Sequence, residues 1–197
     1  MTPDRIIAIP GAVNLRDFGG YPGHHQRSIH RGKLFRSGAM DRLGEDGIAQ
    51  FNALGIQTIC DLRRPEERAQ EPTPKAIRAE RVEIPMDPGS AIAMRAALAN
   101  EDLDAQARID FMVAINHELA TNHQDDYARL FEALLGTEDG GFLVHCAAGK
   151  DRTGFAAALI LHALGVDESV ILSDYLFTNM AIDLEGHVLP RMRHYYG

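Results

Sequence analysis

Cysteine is scarce in this chain: Cys60 and Cys146 are the only two among 197 residues. Two thiols make no disulfide framework, and the sequence reads as that of a protein kept in a reducing compartment. Long hydrophobic runs are missing as well. No stretch approaches the ~18 uninterrupted apolar residues of a membrane helix, so no integral membrane segment is expected. The opening stretch, MTPDRIIAIPGAV, is too short and too broken by proline for a secretory signal. A cytoplasmic protein is the default expectation, with signal-independent export left open. Positive charge is also in short supply. Against 28 Asp and Glu stand 20 Lys and Arg, a formal net charge of −8. Such a body repels nucleic acid and anionic membrane at long range, which argues against a nucleic-acid partner. An anionic ligand would have to be captured by local positive groups.

What is present is a foldable chain. Its 45% apolar and 24% charged content suits a soluble globular protein with a full core. The length fits one domain with a modest insertion, so residues 1–197 are read as a single unit. Residues 1–32 look irregular, and Leu34-Phe35-Arg36 reads as a short strand. Asp46 to Leu54 reads as a helix, with Ile48, Phe51 and Leu54 on one face and Gly55 placed to end it. The β-branched run Ile56 to Leu62 predicts a buried strand. Pro65-Glu66-Glu67 looks like a helix first turn, with acids facing the positive dipole end. Arg81 to Ile84 alternates like another strand and runs into Pro85-Met86-Asp87-Pro88-Gly89. Residues 90–120 are helical in composition with no strong strand behind them, and read as an inserted helical cap. Asp125 to Leu135 is amphipathic, placing Tyr127, Leu130, Phe131, Leu134 and Leu135 on one face. Phe142-Leu143-Val144 predicts a short apolar strand, followed by a buried helix over Arg152 to Leu164 and further helices from Asp167. Strands alternating with helices predict an α/β domain with a mostly parallel central sheet flanked by helices. Ligands bind at the carboxyl ends of strands in such sheets, and Cys146 and Asp87 each sit just past one.

The segment His145-Cys146-Ala147-Ala148-Gly149-Lys150-Asp151-Arg152-Thr153-Gly154 carries the chemistry. Cleaving a phosphate monoester requires a held dianion, an in-line nucleophile, charge stabilisation on three equatorial oxygens and a proton for the leaving oxygen. Small residues Ala147, Ala148 and Gly149 let the backbone curl so that its N–H groups form an anion nest. A helix starting near Arg152 aims its free N–H groups and dipole at the same spot. That field favours a thiolate at Cys146, the candidate nucleophile. Arg152, six positions on, can grip two phosphoryl oxygens, and Lys150 adds a second cation. Thr153 can donate its hydroxyl to the thiolate. His145 is better placed to orient the loop from behind than to touch substrate. A nucleotide-binding P-loop does not fit, because Val144 stands where its first glycine should be.

Cys-x5-Arg followed by Thr-Gly, after an apolar strand and before a buried helix, resembles the protein tyrosine phosphatase superfamily. More closely, HCAAGKDRTG is similar to the loop of bacterial tyrosine and lipid (phosphoinositide) phosphatases. Asn14-Leu15-Arg16-Asp17, Leu34-Phe35-Arg36-Ser37, Asp61-Leu62-Arg63 with Glu66, and Asp174-Tyr175-Leu176 resemble that group too, so the resemblance covers most of the chain. It implies a metal-independent phosphomonoesterase working through a phosphocysteine intermediate. The implied substrates are phosphotyrosine protein or phosphoinositide, with inorganic phosphate as product. Lys150 in this pattern accompanies phosphoinositide activity in the family. A lid over residues 90–120 and a proton donor from a loop such as that of Asp87 are implied as well. Asp151, inside the nucleophile loop, competes with Asp87 for the donor's role.

Cys60 reads either as a redox partner for Cys146 or as a small buried apolar side chain. Arg16, Asp17, Arg36 and Arg63 read better as ties between loops than as substrate contacts. His24, His25 and His30 fit no closed zinc set and read as a solvated loop, so no metal and no cofactor is expected. The rival reading from another class is a catalytically silent module that keeps the pocket and binds a phosphorylated ligand. A sulfur-transfer enzyme on the same thiolate is a weaker third. Oligomeric state is not legible.

Overall fold

The computed structural model describes residues 3–89 and 104–182. Five strands are β1 (Arg16–Asp17), β2 (Leu34–Ser37), β3 (Ile56–Asp61), β4 (Glu80–Glu83) and β5 (Gly141–His145). They form one sheet in the order β1-β2-β5-β3-β4. The pairs β2–β5, β5–β3 and β3–β4 are parallel, and only β1 runs antiparallel. The described helices are α1 (Glu45–Asn52), α2 (Pro65–Gln70), α3 (Ala105–Thr121), α4 (Gln124–Leu135), α5 (Asp151–Ala163), α6 (Glu168–Leu176) and the short α7 (Thr178–Ala181). This is the α/β architecture with a mostly parallel sheet that the strand–helix alternation predicts.

Side chains of the central strand β5 divide between two cores, as the pleat requires. Phe142 and Val144, with Cys60 of β3, pack against Tyr127 and Leu130 of α4 and Ala156, Ala157, Ile160 and Leu161 of α5. Leu143, with Ile56 and Ile59 of β3, packs on the other face against Phe51 of α1, Met40 and Leu43. β5 thus lies in the middle of the sheet and ends in the middle of the molecule. The loop that follows it inherits a rigid origin. At the far end of α5, Gly165 adopts a left-handed φ of 75°. Its N–H reaches His162 O at 2.9 Å and the next N–H reaches Leu161 O at 3.1 Å, a glycine stop that turns the chain into α6.

Two expectations change. Leu135 does not share the buried face of α4: it stands 81% exposed at the helix end, while Tyr127 and Leu130 are buried. The helix turns 100° per residue, so a residue adjacent to Leu134 leaves a narrow apolar stripe. β1 lies within a stretch read as irregular. It is only two residues long, held by pairing with Arg36 and Phe35 rather than by any apolar alternation of its own. Of the cap expected over 90–120, α3 is described and residues 90–103 lie outside the described residues. Asp104 caps α3 by accepting the N–H of Ala107 at 2.7 Å. Ile115 and Leu119 are buried, whereas Ile109 and Val113 are 55% and 65% exposed. Tyr175 of α6 donates its hydroxyl to Asn116 of α3 at 3.1 Å.

Leu143 is fully buried in the central strand. Truncation to alanine removes contacts from a site that strands on both sides keep from collapsing. Leu143→Ala is expected to lower unfolding free energy by about 2–5 kcal/mol in urea titration.

Candidate active site

The loop after β5 is shaped from outside by its carbonyls. Cys146 O is 3.3 Å from His145 Nδ1, and Ala147 O accepts the N–H of Ala39 at 2.8 Å. Asn14 Nδ2 donates to Ala148 O at 3.2 Å and to Gly149 O at 2.8 Å. Arg36 Nη2 adds a second bond to Gly149 O at 3.2 Å. In a planar trans peptide the N–H opposes the C=O. Four successive outward carbonyls, 146 to 149, therefore turn the N–H groups of 147 to 150 inward. That is the arrangement an anion nest requires. Gly149 is required for it. Its φ is 68°, and a Cβ there would meet Ser37 O at 2.4 Å.

α5 begins at Asp151 directly after the nest. The N–H of Gly154 is the first to close on a helical carbonyl, Lys150 O at 2.8 Å. The amides of 151 to 153 precede it and belong to the unpaired helix start. Helix dipole and nest converge on one place. Cys146 lies at their root, 3% exposed, with its sulfur free of any disulfide. The Thr153 hydroxyl is buried and has no hydrogen-bond partner, so the expected bond to Cys146 is not made in this state.

Arg152 is held across its fork by Glu67 of α2. Nη1 donates to Oε2 and Nη2 to Oε1, both at 2.8 Å. Nη1 also lies 3.2 Å from Leu62 O and 3.4 Å from Met86 O. Burial alone would raise the Glu67 carboxyl, but the bonds and charge of Arg152 outweigh it and bring it down to about 2. Glu67 in turn accepts the backbone N–H of Arg64 at 2.8 Å, which fixes it at the first turn of α2. Behind the loop, Asp61 is gripped by Arg63 at 2.7 and 2.9 Å and stands 3.4 Å from His145 Nε2. Burial would raise the Asp61 carboxyl, yet His145 and Arg63 hold it well below the usual range. His145 is thus wedged between β3 and the loop, on the far side from the nest.

A family model described as the tyrosine phosphatase family matches residues 7–195. The chain belongs to the tyrosine phosphatase family. A Cupriavidus necator chain assigned by name to the tyrosine-protein phosphatases is 34% identical over 176 residues, covering 88% of this chain and 63% of its own. The triple specificity protein phosphatase PtpB of Mycobacterium tuberculosis is 31% identical over 200 residues, covering 90% of this chain and 70% of its own. The chain thus spans under two thirds of the first of these relatives. The crystal structure of P. aeruginosa TpbA aligns with 95% of this chain and 88% of its own at 17% identity and a TM-score of 0.44.

For this tyrosine phosphatase family member, the structure brings some of the residues singled out by sequence together and leaves others apart. Cys146, Ala147, Ala148, Gly149, Lys150, Asp151, Arg152 and Thr153 form the loop and the first turn of α5. Asp87 lies past β4, next to Met86, whose carbonyl faces Arg152. Its carboxylate is one-third exposed and 3.7 Å from Arg64 Nε. Asp151, similarly exposed, is 3.3 Å from Lys150 Nζ. Cys60 is fully buried in β3, and burial with the nearby Asp61 charge pushes its thiol up to about 12. Arg16, Asp17, Arg36 and Arg63 tie loops together, as expected. His24, His25 and His30 are exposed. Two site residues escaped the sequence reading. Glu67 was visible only as an N-terminal helix acid, and Asn14 only as part of a motif. Neither has a local signal for partners 85 and 135 residues away.

The Glu67 carboxyl sits below its ordinary 4.5, so its pairing stabilises the fold above that pH and is lost as pH falls toward 2. Thermal scans of wild type and Glu67→Gln should therefore differ most above pH 4.5 and converge between pH 4.5 and 2.

Proposed function

We propose that this chain is a metal-independent phosphomonoesterase acting through a phosphocysteine intermediate. The observation that carries the reading is the nest of inward amides around buried Cys146, closed on one side by a guanidinium that Glu67 fixes in place. Such a pocket is built before substrate arrives, which is what electrostatic catalysis requires. The Cys146 thiolate attacks phosphorus. An S–P bond forms as the P–O bond to the leaving group breaks, and the departing oxygen takes a proton from Asp87. Water then attacks phosphorus and yields its proton to the Asp87 carboxylate. The S–P bond breaks, releasing inorganic phosphate and the thiolate. Glu67 occupies one edge of the Arg152 fork, and the phosphoryl oxygens take the Nε edge. Thr153, buried and without a partner, donates to the thiolate as it leaves.

The substrates we assign are phosphotyrosine protein and phosphoinositide. Lys150 offers a cation beyond the one clamped phosphate, which suits a headgroup carrying more than one. The triple specificity named for the 31% identical PtpB supports a broad choice. α3 is proposed as the described part of a lid, joined to the site through Tyr175, whose ring packs against Gly154 in the first turn of α5. Cys60 serves as core packing. Its thiol, pushed up to about 12, is protonated near neutrality and a poor attacker of an oxidised Cys146.

Phosphate release with excess chelator, across an aryl phosphate, phosphotyrosine and phosphoserine peptides and phosphoinositides, tests the reading. Turnover is expected to survive chelator and to fall by roughly a thousandfold or more in Cys146→Ser. Binding of a phosphorylated ligand with no turnover on any substrate would instead establish the silent binding module.

The proton donor is tested separately. Asp87→Asn is expected to cut kcat by about 10²–10⁴, more for alkyl than for aryl phosphates, because aryl oxides leave without help. If Asp151→Asn behaves this way and Asp87→Asn does not, Asp151 is the acid.

A further inference from the structure

Two guanidinium groups lie behind the loop with one carboxylate between them. Arg16 and Arg36 are fully buried, and Asp174 is 1% exposed. Arg36 takes Asp174 for itself, Nη1 to Oδ2 at 2.8 Å, and Tyr21 donates its hydroxyl to the other oxygen at 3.1 Å. Among the described residues Arg16 makes no ion pair of its own. Its Nη2 donates to Thr178 Oγ1 at 2.7 Å, its Nη1 donates to Asn14 Oδ1 and lies 3.4 Å from Asn14 O, and its Nε has no partner. The remaining charges nearby serve other groups. Asp17 accepts the N–H groups of Gly19 and Gly32, and Arg5 donates to Gly19 O beside the Tyr21 ring. Burial and the charge of Arg36 push the Arg16 guanidinium down to about 9, against the opposing pull of Asp174, and it stays cationic near neutrality. Two buried cations that share one carboxylate leave a positive charge in excess, which is costly and calls for a compensating anion.

Arg16 is wired to the nest. Asn14 Oδ1 accepts from Arg16, and Asn14 Nδ2 donates to the carbonyls of Ala148 and Gly149. The opposite ends of those peptide units are the N–H groups of Gly149 and Lys150, which face the pocket. A charge at the head of such a chain polarises each dipole along it in the same sense. Asn14 holds a left-handed φ of 56°, a backbone cost that places its amide between cation and loop.

We infer that the counter-ion of Arg16 is the phosphoryl group in the pocket, and that Arg16 is a positioning residue, acting through Asn14 to strengthen the nest amides. The inference rests on the proposed phosphatase reading, but it is read out by binding rather than turnover.

Inorganic phosphate is titrated by calorimetry into the full chain, with circular dichroism checking the fold of each variant. Arg16→Gln keeps a donor and removes the charge. It is expected to weaken phosphate about tenfold, the scale of one partly screened charge interaction. Arg16→Lys, which restores the charge without the fork, is expected to recover part of that loss. Asn14→Gly tolerates the left-handed backbone and cuts the relay while leaving Arg16 in place, and should also weaken phosphate. A folded Arg16→Gln with wild-type phosphate affinity overturns the inference, as does Arg16→Lys no better than Arg16→Gln. If Arg16→Gln does not fold, Asn14→Gly decides: unchanged affinity overturns the inference and a comparable loss upholds it. Wild type that binds phosphate yet hydrolyses nothing would remove the proposed function and leave this comparison intact.

Discussion

Everything at the site depends on where four carbonyls point. The backbone from Cys146 to Gly149 has no regular partner of its own. It is held by His145, Ala39, Asn14 and Arg36 from behind. Because the peptide is planar, fixing an acceptor on one side fixes a donor on the other. The inward set of these amides is thus fixed from outside the loop. A free loop of the same sequence would lose this: its amides would turn to water, and the field on the Cys146 sulfur would vanish with them.

The second constraint is the hold on Arg152. A guanidinium on its own samples many rotamers, and a substrate would have to order it. Two bonds to Glu67 do this in advance, and contacts with Leu62 O and Met86 O bind the same group to the ends of β3 and the loop past β4. Arg152 and the segment carrying Asp87 therefore share one hydrogen-bonding hub. Preorganisation of this kind lowers the ordering that binding must otherwise supply.

The fold was readable to the extent that burial is periodic. The runs Ile56 to Asp61 and Gly141 to His145 are apolar enough to be strands in any setting, and Gly165 marks a helix end by its backbone alone. β1 was not readable, since its two residues, an arginine and an aspartate, are strand only by pairing. Leu135 was misplaced because amphipathic counting cannot say where a helix end leaves the core. The loop after β5 was legible because its parts are contiguous. Of its braces, Arg36 was legible as a tie between loops, but the partners of Asn14 and Glu67 were not, because they lie 135 and 85 residues away and carry no local signal.

That scattering has a consequence for how the protein comes to life. The braces reach from Asn14 to Asp174, with sequence separations of 135 between Asn14 and Gly149 and 138 between Arg36 and Asp174. Contacts of such range form late, after the chain has met the entropy of closing large loops. On the ribosome, Cys146 emerges before α6 can supply Asp174. The walls around Cys146 are therefore complete only when segments from both ends of the chain have met.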